Sequence, residues 1–221
     1  MKTKITVYFI PITHHDLGYT ENIEALLSSY CRYYDSILDF CDRTDGYPEE
    51  AKYRYTVEEF WSLDTYLSRT TEENRTRMKK RIKETGVPVI CHSPDLHVLD
   101  IAEEEGADLS KFVMGHWSLL CPMEEAFRRG AFVSVDQFGM NFPGIESDDE
   151  RVGAVLRAFE LGYEKKLLLS QDVCWKVRLK QFGGGGYAEI FDSVVPKIRA
   201  KGISDAEINS LFTDNVKRLF M

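Results

Sequence analysis

The chain has 221 residues, 43% of which are hydrophobic, so it can bury a full-sized core without disulfides or structural metals. Its formal net charge of −8 comes from acidic residues spread along the chain, which argues against a nucleic-acid-binding surface. Five cysteines without a CxxC pair indicate neither a disulfide framework nor a thiolate zinc site, and they fit a reducing cytoplasm.

The first predicted strand is the apolar run from Ile5 to Ile12. It is too short to span a membrane. It leads directly into His14, His15 and Asp16 rather than into a small-residue cleavage site. We therefore predict neither a membrane anchor nor a signal peptide.

Short apolar runs alternate with longer amphipathic runs along the rest of the chain, as in repeated βα units with a parallel sheet. The predicted strands are Ile5 to Ile12, Tyr53 to Val57, Val87 to Cys91, Phe112 to Gly115, Ala131 to Val135 and Lys166 to Ser170. The predicted helices are Glu21 to Asp42, Thr71 to Gly86, His97 to Glu105, Met123 to Arg129, Asp148 to Leu161, Tyr187 to Lys201 and Asp205 to Phe220. The expected fold class is α/β, with a TIM-like parallel (β/α) barrel.

Four consecutive glycines, Gly183 to Gly186, interrupt this pattern between Phe182 and Tyr187. The run is compatible with a flexible loop or with a close approach of the backbone to a ligand. It does not have the GxGxxG spacing of a nucleotide-binding fold. Both interpretations stay open.

Histidine is scarce, and its positions are informative. His14 ends the first predicted strand, His92 the third and His116 the fourth, while Asp172 follows the last strand. In a parallel barrel the C-terminal strand ends converge on one mouth, so these side chains, with Asp16, are candidate metal ligands. A hydrogen-bonded structural role is the alternative for each histidine alone.

Imidazole and carboxylate donors of this kind suit zinc, and also manganese, iron or cobalt. Such a site lowers the pKa of bound water toward ~7, and a neighbouring carboxylate can take its proton. The sequence therefore predicts a hydrolase site for a small-molecule substrate.

Three further residues near the strand ends are candidates for substrate binding. Asp136 ends a predicted strand and would contact substrate or orient a metal ligand, although a satisfied loop carboxylate is an equal alternative. Trp117 and Trp175 would wall an apolar pocket, or they belong to the ordinary core.

The first third of the chain resembles the N-terminal catalytic region of the family 38 α-mannosidases. The resemblance lies in Ile-Thr-His-His-Asp-Leu-Gly-Tyr-Thr at 12–20 and Tyr-Pro-Glu-Glu-Ala-Lys-Tyr-Arg-Tyr-Thr-Val-Glu at 47–58. In that family the His and Asp of a His-x-Asp-x-Gly motif bind zinc, which implies that His14 and Asp16 do so here.

From about Lys83 onward the chain resembles the second half of the phosphotriesterase-like amidohydrolases. The matching stretches are Glu-Thr-Gly-Val-Pro-Val-Ile-Cys-His-Ser at 84–93, Met-Gly-His at 114–116, Val-Asp-Gln-Phe-Gly at 135–139 and Leu-Leu-Ser-Gln-Asp at 168–172. This resemblance implies that His92 and His116 bind metal, and that Asp172 is both a ligand and the general base.

The two resemblances together predict a fusion, with mannosidase-like first βα units at 1–82 and a phosphotriesterase-like second half of the barrel at 83–221, in one compact domain. No segment corresponds to the metal-bridging lysine of the phosphotriesterase-like family, so one metal ion is expected rather than two. About six strands are predicted where such barrels have seven or eight. The barrel is therefore reduced or incomplete, and an open edge would need cover, for example by a second subunit in a homo-oligomer.

The leading functional prediction is a cytoplasmic, metal-dependent hydrolase that acts on a phosphoester, a lactone or a related ester through a metal-activated water. Two alternatives stay open. One is a metal-binding fusion protein without catalytic activity, and the other is a glycosidase related to the α-mannosidases.

Overall fold

A computed structural model describes residues 21–58, 60–85, 89–91, 96–104, 106–117, 119 and 122–220. The chain divides into two compact units, Met1–Ile90 and Cys91–Met221. The predicted strand at 5–12 and the predicted ligands His14, Asp16 and His92 lie outside the described residues.

The described part of the first unit contains three helices, α1 (Ile23–Thr44), α2 (Phe60–Arg69) and α3 (Glu72–Thr85). The α1 helix begins after Asn22, whose side chain accepts a hydrogen bond from the backbone N–H of Glu24, a common N-cap arrangement. Its apolar residues recur every three or four positions and form one buried face. The buried residues of α1 are Leu26, Leu27, Tyr30, Tyr34, Ile37, Leu38 and Cys41.

Polar contacts hold α2 and α3 against α1. The Tyr34 ring stacks on Tyr66 with centroids 5.0 Å apart, and its hydroxyl is 2.8 Å from that of Ser62. Arg81 on α3 donates to both carboxylate oxygens of Asp45, each at 2.6 Å. These hydrogen bonds satisfy polar groups that are partly buried between the helices.

One prediction in this unit was wrong, and one helix was not predicted. The segment Tyr53 to Val57 is not a regular strand, because only Thr56 and Val57 make isolated bridges. The α2 helix was not predicted. The predicted division between residues 82 and 83 falls inside α3.

The strand β1 (Val89–Cys91) lies across the division between the two units in the sequence. The second unit contains β2 (Phe112–Met114), β3 (Phe132–Val135) and β4 (Leu167–Leu169). They lie side by side and are parallel, with Val113 opposite Phe132 and Val133 opposite Leu167. Because β2 and β3 are buried along their whole length, they have the continuous apolar sequence of a covered parallel sheet.

Short helices connect these strands. They are α4 (His97–Glu104), α5 (Met123–Arg128) and α6 (Asp148–Glu160). A capping box starts α6, since the Ser147 hydroxyl accepts from the Glu150 N–H and the Glu150 carboxylate accepts from the Ser147 N–H, which pairs two N–H groups that the helix leaves open.

The C-terminal helices are more broken than the sequence suggested. The helix predicted from Tyr187 to Lys201 is a π-helical turn at Ile190–Val194 followed by α7 (Val195–Ala200). Pro196 cannot donate to the carbonyl four residues before it, so the α-helical ladder is interrupted there. The helix predicted over 205–220 is two helices, α8 (Asp205–Phe212) and α9 (Asp214–Phe220).

The described residues therefore have an α/β fold with a small parallel sheet and many helices. Within the described ranges, no helix combines the length and the apolar character that crossing a membrane requires. Closure of the strands into a barrel stays a prediction.

Candidate functional site

The loops that follow β2, β3 and β4 share an unusual backbone conformation. His116 (φ 51°), Gln137 (φ 62°) and Asp172 (φ 48°) each lie in the left-handed region. Of the described residues other than glycine, these three have positive φ. The conformation is uncommon for residues other than glycine, although His and Asp adopt it more readily than most, and residues held in it cluster at functional sites. The carboxyl-terminal edge of the sheet is thus the candidate site.

The His116 ring is held by Asp136. Its Nδ1 lies 2.9 Å from Asp136 Oδ1, and the His116 backbone N–H donates to Asp136 Oδ2 at 3.0 Å. Asp136 is buried, and each of its two oxygens contacts His116. With Nδ1 engaged, Nε2 is the ring nitrogen that would ligate a metal. A histidine backed by a carboxylate is the usual arrangement around protein-bound metals.

Asp172 is held through its backbone. Its carbonyl accepts the N–H of Cys174 at 2.9 Å and Nη1 of Arg178 at 3.3 Å. Partial burial raises the pKa of the Cys174 thiol, and the negative Asp172 carboxylate beside it raises it further. Cys174 is therefore a neutral thiol near pH 7, not a thiolate nucleophile.

His116 and Asp172 lie on either side of β3, because they follow the two strands that flank it. Two strand spacings separate their backbones by about 10 Å, which an imidazole and a carboxylate aimed at one ion can bridge. Within the described part of the chain, no three His, Cys, Asp or Glu side chains group closely enough to hold a metal ion. His116, with its orienting carboxylate, and Asp172 stay predicted metal ligands.

The two tryptophans differ in exposure. Trp117 is buried, and its backbone N–H donates to the Ser134 carbonyl at 3.2 Å. Trp175 is 49% exposed and meets Phe142 edge to face, with ring centroids 5.7 Å apart. The sequence analysis did not single out Phe142, although it lies in the same long loop after β3 as the candidate Asp136. Contact of either tryptophan with substrate stays a prediction.

Arg178 was not predicted as a site residue from the sequence. This side chain is almost completely buried, and besides the Asp172 carbonyl it donates from Nη2 to the carbonyl of Phe138. One guanidinium thus forms hydrogen bonds with both the loop after β3 and the loop after β4. No periodic pattern marks such a residue, and the nearby glycine run was the one available signal.

The glycine run approaches the chain itself closely. A Cβ on Gly184 would lie 2.2 Å from the Arg178 carbonyl oxygen, and a Cβ on Gly185 would lie 2.2 Å from the Glu189 side chain. Gly186 donates to the Arg178 carbonyl at 2.8 Å and accepts from Gln171 Nε2 at 3.0 Å. The run is therefore closely packed against the protein's own backbone and side chains, and an approach to a ligand stays a prediction.

A buried ion pair supports the loop after β3. The Asp148 carboxylate accepts the Gly139 N–H at 2.8 Å and lies 3.3 Å from Nη1 of Arg151. Arg151 is fully buried, and its Nε and Nη2 have no hydrogen-bond partner among the described residues. Asp148 is therefore the carboxylate that compensates the charge of Arg151.

Comparison with known proteins defines the class of this α/β chain. Residues 71–220 match the model of the phosphotriesterase family, which is more than half of the chain, and the chain belongs to that family.

Individual relatives support the same assignment. An N-acetyltaurine hydrolase from Tetraodon nigroviridis is 35% identical in an alignment of length 149 that covers 60% of this chain and 43% of the relative. An N-acetyltaurine hydrolase from Danio rerio is 26% identical over 96% of this chain and 62% of its own length. The chain thus spans about half the length of the curated relatives that it matches.

Solved structures give the same class of fold. A resiniferatoxin-binding protein from Rhodobacter sphaeroides has a TM-score of 0.57 and 34% identity, covering 68% of this chain and 47% of its own. A phosphotriesterase homology protein from Escherichia coli, complexed with phosphate in its active site, has a TM-score of 0.64 and 22% identity over 88% of this chain and 69% of its own.

Proposed function

We propose that this protein is a metal-dependent hydrolase of the phosphotriesterase family. The observation that carries the proposal is the His116–Asp136 pair at the carboxyl end of a parallel sheet, in an edge that also bears the strained Asp172. The substrate is a small molecule with an activated acyl or phosphoryl bond, such as a phosphoester or a lactone. The curated relatives add a carboxamide of the N-acetyltaurine type to this class.

The proposed ligands in the described part are Nε2 of His116 and the carboxylate of Asp172. His92, His14 and Asp16 are further proposed ligands, and all three lie outside the described residues. Imidazole and carboxylate donors favour zinc, with one ion proposed. When bound, the ion polarises the scissile bond and makes water a stronger nucleophile.

Each described residue has a distinct role in this proposal. Asp136 fixes the direction of the His116 ring. Asp172 takes a proton from the attacking water while the oxygen of that water bonds to the acyl carbon or phosphorus. The bond to the leaving group then breaks, and the leaving nitrogen or oxygen receives that proton. Trp175, beside Phe142, is the proposed apolar contact for the substrate.

A substrate panel tests the function. The chain is stripped of metal with a chelator, reloaded with zinc, and assayed on N-acetyltaurine, an aliphatic lactone and an aryl phosphoester. We expect hydrolysis of at least one compound, its loss on chelation and its recovery with zinc, because the proposed chemistry requires the ion. A His97→Ala variant, altered at an exposed helical histidine, should behave like the wild type. Inactivity of the zinc-loaded protein on all three compounds contradicts the proposal.

The alternatives lead to different outcomes. A metal-binding protein without activity would hold zinc and hydrolyse nothing in the panel. A mannosidase-related glycosidase would release the aryl group of an aryl mannoside in a reaction that depends on Asp16.

The fusion, the cytoplasmic location and the homo-oligomer also stay predictions. The Danio rerio relative aligns with 96% of this chain, so its match extends into the first third.

A further inference from the structure

One buried guanidinium connects the two loops that carry the candidate site. Nη1 of Arg178 donates to the carbonyl of Asp172 at 3.3 Å, and Nη2 donates to the carbonyl of Phe138. Phe138 lies in the same turn as Asp136, the residue that orients His116. The arginine side chain is 6% exposed, so water does not compete freely for these two carbonyl groups.

The backbone of Asp172 requires such support. Its φ of 48° costs on the order of 1–3 kcal/mol and persists only where surrounding contacts determine it. The carbonyl of this residue has two donors, the Cys174 N–H and Arg178. Because φ and ψ also set the direction of the Asp172 side chain, the contact with Arg178 helps to aim the carboxylate.

Arg178 is itself held in place from the other side. Its carbonyl accepts the N–H of Gly186, and Gly184 packs so closely on it that a Cβ would lie 2.2 Å from that carbonyl oxygen. Glu189 Oε2 is 4.0 Å from Nη2. The glycine run thus packs against the backbone of Arg178, from which the side chain extends to the two carbonyl groups.

We propose that Arg178 is a positioning residue for the metal site, which aligns the Asp172 loop with the loop that holds His116 through Asp136. This inference rests on the proposed function, because it takes Asp172 and His116 as ligands. Two carbonyl groups in different loops require a planar fork with several donors. Lysine has a single ammonium on a flexible stem and cannot reproduce that geometry.

Metal binding by Arg178→Lys and Arg178→Met tests the proposal. Zinc affinity is measured by competition with a chromophoric chelator, and ligand geometry is followed in the visible absorption of the Co²⁺-substituted protein. We expect a 10- to 100-fold loss of zinc affinity, the usual effect of losing an outer contact of a ligand, and a changed cobalt spectrum. Arg199→Lys, at an exposed arginine paired with Asp205, is the matched control.

The lysine variant keeps the positive charge and most of the side-chain volume, so it addresses positioning even where the methionine variant folds poorly. Gly184→Ala, whose Cβ would displace the backbone of Arg178 and leave the guanidinium chemically intact, should reproduce the same spectral change. Wild-type affinity and spectrum in Arg178→Lys, with zinc binding weakened in Asp172→Asn, overturns this inference alone. Wild-type zinc binding in Asp172→Asn overturns the proposed metal site itself.

Discussion

Replacing Asp172 by asparagine is expected to lower the kcat/KM for hydrolysis by about 10²- to 10⁴-fold, the usual contribution of a general base. Asparagine keeps the size of the side chain and tolerates the left-handed conformation that Asp172 adopts. It cannot take a proton from water and is a weaker ligand. The measurement is kcat/KM on the best substrate of the panel, at saturating zinc.

The control for this variant is Asp192→Asn, which removes an exposed carboxylate whose partner is the exposed Lys180. It should keep wild-type activity. Equal activity in Asp172→Asn and the wild type would show that another group accepts the proton.

Replacing Asp148 by alanine is expected to lower the free energy of unfolding by about 3–5 kcal/mol, the usual cost of removing one partner of a buried ion pair. Arg151 is fully buried, and Nε and Nη2 have no partner among the described residues, so the loss of Asp148 leaves its charge uncompensated. The Gly139 N–H would lose its acceptor as well. Urea unfolding followed by circular dichroism measures the change.

Two further variants separate the charge effect from other causes. Asp149→Ala, at the neighbouring exposed carboxylate that pairs with Lys197, should change stability by no more than about 0.5 kcal/mol. The double variant Asp148→Ala with Arg151→Met should recover most of the loss, because it removes both charges. A loss as large in the double variant as in Asp148→Ala would mean that the ion pair is not the cause.

Strongly periodic segments could be predicted from sequence. The long helix predicted from residue 21 to 42 is α1, and the predicted strands at 112–115, 131–135 and 166–170 are β2, β3 and β4 within a residue at each end. These segments have continuous apolar runs or a clear helical period, and tertiary contacts reinforce the same preference.

The breaks could not be predicted in the same way. The separation of α8 from α9 occurs at Thr213, whose hydroxyl bonds the Asn209 carbonyl; such side-chain bonds compete with the helix without changing its apolar period. The interruption before α7 depends on Pro196. One continuous helix was predicted there because the apolar residues around this proline keep a helical period. The short Tyr53 to Val57 segment has the β-branched and aromatic residues of a strand, but only Thr56 and Val57 in it make bridges, because strand pairing depends on tertiary context more than on local composition.

The candidate site was partly predictable for a physical reason. Parallel strands place their carboxyl ends at one edge, so His116, Asp136 and Asp172 could be assigned to it from sequence alone. The pairing of His116 with Asp136 and the contact of Arg178 with two loops depend on which side chains the fold brings together. Arg178 lies in a short turn with no period, and its burial is a tertiary property.

Zinc binding by the purified chain tests the central claim most directly. After incubation with zinc and removal of the excess by gel filtration, elemental analysis should find about one ion per wild-type chain and per His97→Ala chain, and none in His116→Ala. Asp136→Asn should bind zinc 10- to 100-fold more weakly, since it loses the carboxylate that orients the ligand. A wild-type chain without zinc, or a His116→Ala chain with as much zinc as the wild type, would contradict the assignment of this strand edge as a metal site.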